Sequence, residues 1–124
     1  VIHKKGLQFG LWFEPEAVSE DSELLRQHPD WALHILGYQS VKGRHEYLLD
    51  LSREDVREYL FKTLDFYLRD GKINYIKWDM NRPLTDVNSA CLGVQQKEEI
   101  SHRYVIGLYD ILERITEKQK LVAI

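Results

Sequence analysis

The feature that most constrains the fold is a long amphipathic helix pattern between two apolar segments of strand length. Residues 7–13 (Leu-Gln-Phe-Gly-Leu-Trp-Phe) form an apolar run between Gly6 and Pro15, which is typical of a buried strand. Residues 73–76 (Ile-Asn-Tyr-Ile) form a second such run. Because a helix separates them, we expect the two strands to be parallel neighbours in a strand-helix-strand unit.

The helix pattern begins near Ser52 and ends at Gly71. Ser52 followed by Asp55 predicts a capping box, with aspartate in place of the usual glutamate. Gly71 is the kind of residue that follows the last turn of a helix. The apolar positions recur at helical spacing and predict one buried stripe: Val56, Tyr59, Leu60, Leu64, Tyr67 and Leu68.

A second long helix is predicted at about residues 97–118, and the apolar residues 121–124 are expected to begin a third strand. The buried side of this helix is predicted to consist of Ile100, Tyr104, Leu108, Ile111, Leu112 and Ile115. The resulting order of strands and helices is that of an α/β protein with a parallel sheet. Two or three parallel strands can neither close a barrel nor cover both faces of a sheet, so we expect this unit to belong to a larger domain or to associate.

The connection between the first predicted strand and its helix is long. A repeating unit of an eight-stranded βα barrel has roughly thirty residues, so the segment 14–51 is surplus. Within it we predict a short helix capped by Ser19 or Ser22 and ended by Pro29, then a loop with one extended piece at residues 46–51. An insertion at this point lies at the carboxyl ends of the strands, where barrel enzymes build their active sites.

Composition and charge exclude several classes of function. The 124 residues carry a net charge of −3, with 44% apolar and 30% charged content, which fits one soluble globular unit and not a nucleic-acid-binding protein. There is no bilayer-spanning apolar run and no signal-peptide pattern, so we expect no membrane partner and a cytoplasmic location. Cys91 is the single cysteine and the five histidines lack ligand spacing, so we expect no disulfide, no metal and no cofactor.

The second predicted strand ends in polar residues that share one face. In an extended chain, Lys77, Asp79 and Asn81 point one way while Trp78 and Met80 point the other. An ammonium group beside a carboxylate favours the ionised acid. The pattern fits a carboxylate nucleophile, and it also fits a structural ion pair with an amide cap, which is the commoner use of such a pair; spacing alone leaves both interpretations open.

Four segments resemble successive motifs of the α-galactosidases of glycoside hydrolase family 36. They are residues 10–16 (Gly-Leu-Trp-Phe-Glu-Pro-Glu), 28–31 (His-Pro-Asp-Trp), 50–53 (Asp-Leu-Ser-Arg) and 75–82 (Tyr-Ile-Lys-Trp-Asp-Met-Asn-Arg). The motifs follow the family's order and approximate spacing over nearly the whole chain. Several independent motifs in register are a far more specific signal than any one of them.

The resemblance implies a fold and an activity. Residues 1–124 would be part of a single catalytic (β/α)8 TIM-type barrel domain, around its third and fourth strands, with two to three parallel strands and their helices. The protein would hydrolyse terminal α-D-galactosides, such as raffinose-type oligosaccharides, by a retaining double-displacement mechanism without a cofactor. The full-length protein would be a homo-oligomer, a tetramer.

The resemblance also implies roles for five residues. Asp79 matches the family's nucleophile, and Lys77 and Asn81 match its neighbours that hold the sugar hydroxyls. Trp12 matches an aromatic residue lining the sugar pocket, and Arg44 matches a sugar-contacting arginine in a loop. The family's general acid/base is expected outside this chain, so we predict that the 124-residue polypeptide alone is inactive.

Alternatives remain for the residues and for the function. The alternative for Trp12 is a residue packed inside the barrel, and the alternative for Arg44 is a solvated loop charge. The glycosidases of family 31 also place a nucleophile in an Asp-Met-Asn context, so an α-glucosidase-like activity is one alternative. The other is an inactive scaffold or carbohydrate-binding remnant that keeps Trp12, Arg44 and Lys77 without turnover.

Overall fold

The computed structural model describes residues 1–33, 46–81, 84, 89–92, 96 and 99–124. They form both strands and helices, with two long helices among the strands, which agrees with the predicted α/β class. The elements are β1 (Gly10–Phe13), β2 (Ala17–Ser19), α1 (Glu23–Gln27), β3 (Glu46–Leu48), α2 (Glu54–Leu68), β4 (Tyr75–Trp78) and α3 (Ile100–Lys118). Single 3₁₀ turns lie at His3–Lys5 and Pro29–Trp31.

Strands β1 and β4 form a parallel pair, with α2 between them along the chain. Their register pairs Gly10 with Tyr75 and Phe13 with Trp78. Just past the end of β4, the Asp79 N–H donates to the Phe13 carbonyl oxygen at 3.0 Å. The predicted strand-helix-strand unit is confirmed, and the two strands end side by side.

The first strand is shorter than the apolar run predicts. β1 begins at Gly10 and not at residue 7, and Leu7 is 60% exposed. The Phe9 N–H donates to the Asn74 side-chain oxygen at 3.2 Å. An apolar run indicates a tendency to be buried. A β-strand also needs a neighbouring strand with which its backbone pairs regularly, and that pairing begins at Gly10.

The predicted third strand begins as a single bridge near the end of the chain. Ala123 pairs in parallel with Tyr75. The Ala123 N–H donates to the Asn74 carbonyl oxygen at 3.0 Å, and the Ile76 N–H donates to the Ala123 carbonyl oxygen at 2.8 Å. Strand β4 therefore lies between β1 and the start of a third parallel strand.

The surplus segment forms a second, antiparallel sheet that the sequence did not predict. Strand β2 pairs with β3, so that Val18 faces Tyr47, and Ala32 bridges to Leu49 just beyond. Residues 17–19 were expected to lie before a helix, and the extended piece at 46–51 reduces to Glu46–Leu48. A strand of three residues is too short to show a recognisable alternation of apolar and polar residues. The burial of Val18 and Leu48 stabilises the two strands.

Helices α2 and α3 pack against each other and share one core with Ile73 and Ile76. Most predicted stripe residues are buried in it, but Tyr59 and Tyr67 are 38% and 51% exposed, so their predicted burial is wrong. Both lie at the margin of the stripe, where a tyrosine can keep its hydroxyl in water. The buried apolar side chains of the two helices are Val56, Leu60, Leu64, Leu68, Ile100, Tyr104, Ile111 and Ile115.

Helix ends follow the sequence in part. Ser22 caps α1, since its hydroxyl accepts the Leu25 N–H at 3.1 Å. The predicted capping box of α2 is wrong, because the N-cap is Arg53 and the Ser52 hydroxyl donates to the buried Asp50 carboxylate at 2.6 Å. Gly71 follows α2 with a φ of 65°, the left-handed conformation that glycine adopts without strain.

Candidate functional site

The carboxyl ends of β1 and β4 carry a group of polar and aromatic side chains that we call the strand-exit cluster. Its members are Trp12, Glu14, Lys77, Asp79 and Asn81. The parallel register places Trp12 directly opposite Lys77. Since side chains of paired residues in neighbouring strands lie on the same face, the alternating residues of both strands meet on one side of the sheet.

Asp79 lies at the centre of this cluster. The Trp12 indole N–H donates to Asp79 Oδ2 at 2.8 Å, and Lys77 Nζ lies 3.5 Å from the same oxygen. The side chain of Asp79 keeps 29% of its exposure, so the carboxylate is partly accessible. The Asp79 carboxylate is neither buried among apolar side chains nor turned away from the Lys77 ammonium group.

The surroundings of Asp79 favour its ionised form. The pKa of Asp79 is lowered from its usual value, chiefly by the hydrogen bond from Trp12, and further by the Asn81 amide and the Lys77 ammonium group. Partial burial opposes this but does not reverse it. The sequence argument named Lys77 alone and missed the larger contribution from Trp12, because the cross-strand register was not known.

The amide of Asn81 also donates to Glu14 Oε1, so the cluster contains a second carboxylate. Three of the five residues predicted for the site, Lys77, Asp79 and Trp12, are in direct contact around one carboxylate oxygen. Asn81 belongs to the same group, because its side chain bonds to both Asp79 and Glu14. Glu14 was not predicted as a site residue, although it shares a strand face with Trp12 in the sequence.

A third carboxylate lies behind the cluster. Glu16 is only 2% exposed, and the Trp78 indole N–H donates to its Oε2 at 2.6 Å. Burial raises the pKa of Glu16 above its usual value, and the bond from Trp78 partly offsets that rise. Sequence reasoning missed Glu16 as well, because a buried glutamate three residues past a strand carries no periodic signal.

The remaining predictions concern residues away from the cluster. Arg44 falls in the segment 34–45, outside the described residues. Cys91 is exposed and its sulfur lies 3.1 Å from the Ser89 hydroxyl. Among the described residues, no group of three or more histidine, cysteine, aspartate or glutamate side chains could hold a metal ion, and none of their helices combines the length and apolarity that crossing a bilayer requires.

Comparison with known proteins gives one consistent result. Alpha-galactosidase AgaA of Geobacillus stearothermophilus is 46% identical over 117 residues, which are 94% of this chain and 16% of that protein. Alpha-galactosidase 1 of Pediococcus pentosaceus is 48% identical over 115 residues, 93% of this chain and 16% of that protein. The chain therefore spans about 16% of the length of these curated relatives.

Solved structures agree with the sequence comparison. The alpha-galactosidase of Lactobacillus brevis superposes with a TM-score of 0.91 and 44% identity, over 97% of this chain and 16% of that one. A variant of the family 36 enzyme AgaA from Geobacillus stearothermophilus, solved in complex with raffinose, gives a TM-score of 0.91 and 45% identity over 97% of this chain and 17% of that one. The family model described as Melibiase matches residues 1–124. The resemblance seen in the sequence is thus confirmed, and the chain belongs to the melibiase family, the α-galactosidases of glycoside hydrolase family 36.

Proposed function

We propose that this chain supplies the nucleophile and part of the sugar-binding surface of a retaining α-galactosidase, with Asp79 as the nucleophile. The observation that carries the proposal is the environment of Asp79. Its carboxylate lies at a strand exit, is partly open to solvent, and has a pKa lowered by Trp12, Asn81 and Lys77. An anionic, accessible carboxylate is what attack on an anomeric carbon requires.

The substrate class is inferred from the relatives. The matching proteins are named alpha-galactosidases, and the solved complexes of AgaA variants contain raffinose in one case and stachyose in another. We therefore propose terminal α-D-galactosides of the raffinose type as substrates.

The mechanism proposed is a double displacement. A carboxylate oxygen of Asp79 bonds to the anomeric carbon as the bond from that carbon to the leaving oxygen breaks, and a general acid protonates the leaving oxygen. The same group then removes a proton from water, which attacks the glycosyl-enzyme and releases Asp79. In such enzymes the two carboxyl groups are roughly 5–5.5 Å apart. We take the general acid/base from outside residues 1–124, as the family resemblance implies.

The other members of the strand-exit cluster have proposed binding roles. Trp12 is 49% exposed, so its ring can offer a flat surface to the C–H face of a sugar while its N–H holds Asp79. Lys77 Nζ lies 3.5 Å from Asp79 Oδ2 and is proposed to donate to a sugar hydroxyl as well. Asn81 is proposed to hold a hydroxyl, and Arg44 keeps the sugar-contacting role that the family resemblance implies.

We further propose that β1, β4 and the strand beginning at Ala123 are consecutive strands of one (β/α)8 barrel domain. Their parallel pairing in chain order supports this, as does the position of α2 and α3 between successive strands. In such a barrel the strand-exit cluster would lie at the catalytic face. A tetrameric assembly and a cytoplasmic location stay predictions from the sequence.

Replacement of Asp79 tests the proposed function. In the protein expressed from the complete reading frame, Asp79→Asn is expected to lower kcat on an aryl α-galactoside by about 10⁴-fold or more, since it removes the nucleophile. Asp70→Asn is the matched control, because Asp70 is an exposed carboxylate paired with Lys72. The control is expected to keep kcat. An aryl α-glucoside assayed in parallel separates the family 31-like alternative.

Chemical rescue sharpens the test. In Asp79→Gly the space left by the carboxylate can admit azide, which attacks the anomeric carbon as the aryloxide leaves, giving the β-galactosyl azide. We expect azide to restore turnover with that product. Retention of full activity by either Asp79 variant without azide contradicts the proposed function, and so does full activity on the α-glucoside with none on the α-galactoside.

A further inference from the structure

Two tryptophan–carboxylate hydrogen bonds cross between the exits of β1 and β4 in opposite directions. Trp12 on β1 donates to Asp79 just past β4, at 2.8 Å. Trp78 at the end of β4 donates to Glu16 past β1, at 2.6 Å. Each strand thus holds a carboxylate that follows the other strand. The acceptor of the first bond, Asp79, is partly accessible, whereas the acceptor of the second, Glu16, is only 2% exposed.

A buried glutamate is costly and calls for a physical reason. Transfer of a carboxylate from water is unfavourable unless hydrogen bonds replace its hydration. Within the described part of the chain, the donors to Glu16 are the Trp78 indole and its own backbone N–H, and no lysine or arginine pairs with it. An apolar side chain would fill the same space without that cost. What glutamate adds at this position is an acceptor oxygen aimed at Trp78.

The hydrogen bond accepted by Glu16 matters because of where its donor, Trp78, lies. Trp78 is the last residue of β4 and directly precedes Asp79. In an extended segment the two side chains point to opposite faces, so holding the Trp78 indole limits rotation of the strand end about its own axis. The Asp79 N–H bonds to Phe13, but beyond Trp78 the regular ladder has ended. The direction of the Asp79 side chain therefore depends on side-chain contacts on both faces.

We propose that Glu16 is a positioning residue for Asp79: by binding the Trp78 indole in the interior, it sets the direction in which the neighbouring carboxylate points into the site. This inference rests on the proposed role of Asp79 as the nucleophile. Trp12 holds the carboxylate from the open side, and Glu16 holds the preceding residue from the buried side. Together they leave Asp79 little freedom to turn.

The test compares variants at Glu16 in the protein expressed from the complete reading frame. Glu16→Leu removes the acceptor and is expected to lower kcat roughly 10–100-fold with little change in KM, because a displacement of a reacting group by about 1 Å has an effect of this size. Glu16→Gln keeps a carbonyl oxygen for the indole and is expected to lose about tenfold less. Equal losses in the two variants overturn the proposal.

A second comparison asks whether the effect acts through Trp78. Trp78→Phe removes the donor and keeps an aromatic ring, and its loss in kcat is expected to match that of Glu16→Leu. The double variant Glu16→Leu/Trp78→Phe is expected to be no worse than either single one, since both remove the same hydrogen bond. Additive losses show that the two residues act independently and overturn the proposal.

A third comparison separates positioning from general damage to the fold. In the Asp79→Gly background azide replaces the carboxylate, so its attack does not depend on the direction of Asp79. Adding Glu16→Leu to that background is expected to change the azide-rescued rate by less than about twofold. If it lowers that rate by the same factor as it lowers kcat in the parent, Glu16 acts on the whole structure and the inference is wrong. Activity retained by Asp79→Asn would instead refute the proposed function itself, so the two failures are distinguishable.

Discussion

The pKa of Asp79 is lowered more by the neighbouring strand than by its own. Lys77, two residues away along β4, is a partner that spacing predicts. The strongest influence on its pKa is Trp12, which lies 67 positions away in the chain and donates a hydrogen bond at 2.8 Å. In the proposed function, Trp12 offers its ring to a sugar and its N–H to Asp79, so one residue would link substrate binding with the pKa of the attacking group.

Replacement of Trp12 by phenylalanine tests this link. Trp12→Phe keeps a ring but removes the indole N–H, so the pKa of Asp79 is expected to rise towards its ordinary value. Because the ionised form is the reactive one, the acid limb of the kcat/KM profile should move to higher pH. The change is expected below about pH 5, and not near neutrality, where the carboxylate is ionised in either case.

The control for this profile is Glu117→Gln, since Glu117 is an exposed charged residue near the end of α3, away from the strand-exit cluster. It is expected to leave both limbs unchanged. The lowered pKa of Asp79 also makes the stability of the fold depend on pH in the same direction. A lowered pKa stabilises the fold above the ordinary carboxyl value, and this contribution is lost as the pH falls through the pKa of the folded state. An acid limb that stays in place in Trp12→Phe contradicts the assigned role of the indole.

At the scale of elements, one glycine decides how closely α3 packs on the segment that leads into α2. A Cβ atom at Gly107 would overlap the Leu51 carbonyl oxygen and would lie 3.2 Å from the Arg57 side chain. The Arg57 guanidinium in turn binds Asp110 of α3 at 3.0 Å and the Leu51 carbonyl at 3.1 Å. The contact is thus made by backbone and by a fixed ion pair, and neither can yield easily.

Gly107→Ala is therefore expected to destabilise the fold. At an exposed helical position the same change stabilises by up to about 1 kcal/mol, so the sign of the effect is informative. Here we expect a loss of about 1–3 kcal/mol from overpacking, seen as a lower midpoint of thermal unfolding. Ser101→Ala, at an exposed position of the same helix, is the control and is expected to change stability by less than about 0.5 kcal/mol. A midpoint raised by Gly107→Ala would refute the close approach.

At the scale of the whole molecule, the chain presents apolar surface that a complete domain would cover. Tyr75 on β4 is 49% exposed, Leu121 is 89% exposed, and Ile106 and Tyr109 on α3 are 53% and 63% exposed. Parallel sheets are normally buried on both faces. A segment spanning about 16% of its relatives agrees with this picture.

The 124-residue polypeptide alone is predicted to be inactive on an aryl α-galactoside. It carries the proposed nucleophile but, by resemblance, not the general acid, and both are needed for glycosidic cleavage at a useful rate. The measurement compares release of the aryl alcohol by the 124-residue polypeptide and by the product of the complete reading frame. Turnover by the short polypeptide above that of its Asp79→Asn variant would show the prediction to be wrong.

The sequence by itself determined the elements that repeat a local pattern. The stripes of α2 and α3, the glycine after α2, the β-branched strand at β4 and the polar residues after it are all visible along the chain. The family motifs were visible too, because the chemistry of a site restricts residue types wherever the chain enters it. In each case the evidence lies within one turn or one strand of the residue concerned.

Only the tertiary structure decided which distant residues meet. The β2–β3 sheet, the bond from Trp12 to Asp79 and the bond from Trp78 to Glu16 all join residues far apart in the chain. The capping box failed for a local reason: the helix begins one residue later than predicted, with Arg53 as its N-cap, and the Ser52 hydroxyl donates to Asp50 two residues away. Periodicity indicates which face of an element is buried, but strand register and packing determine which side chains on that face come within hydrogen-bonding distance.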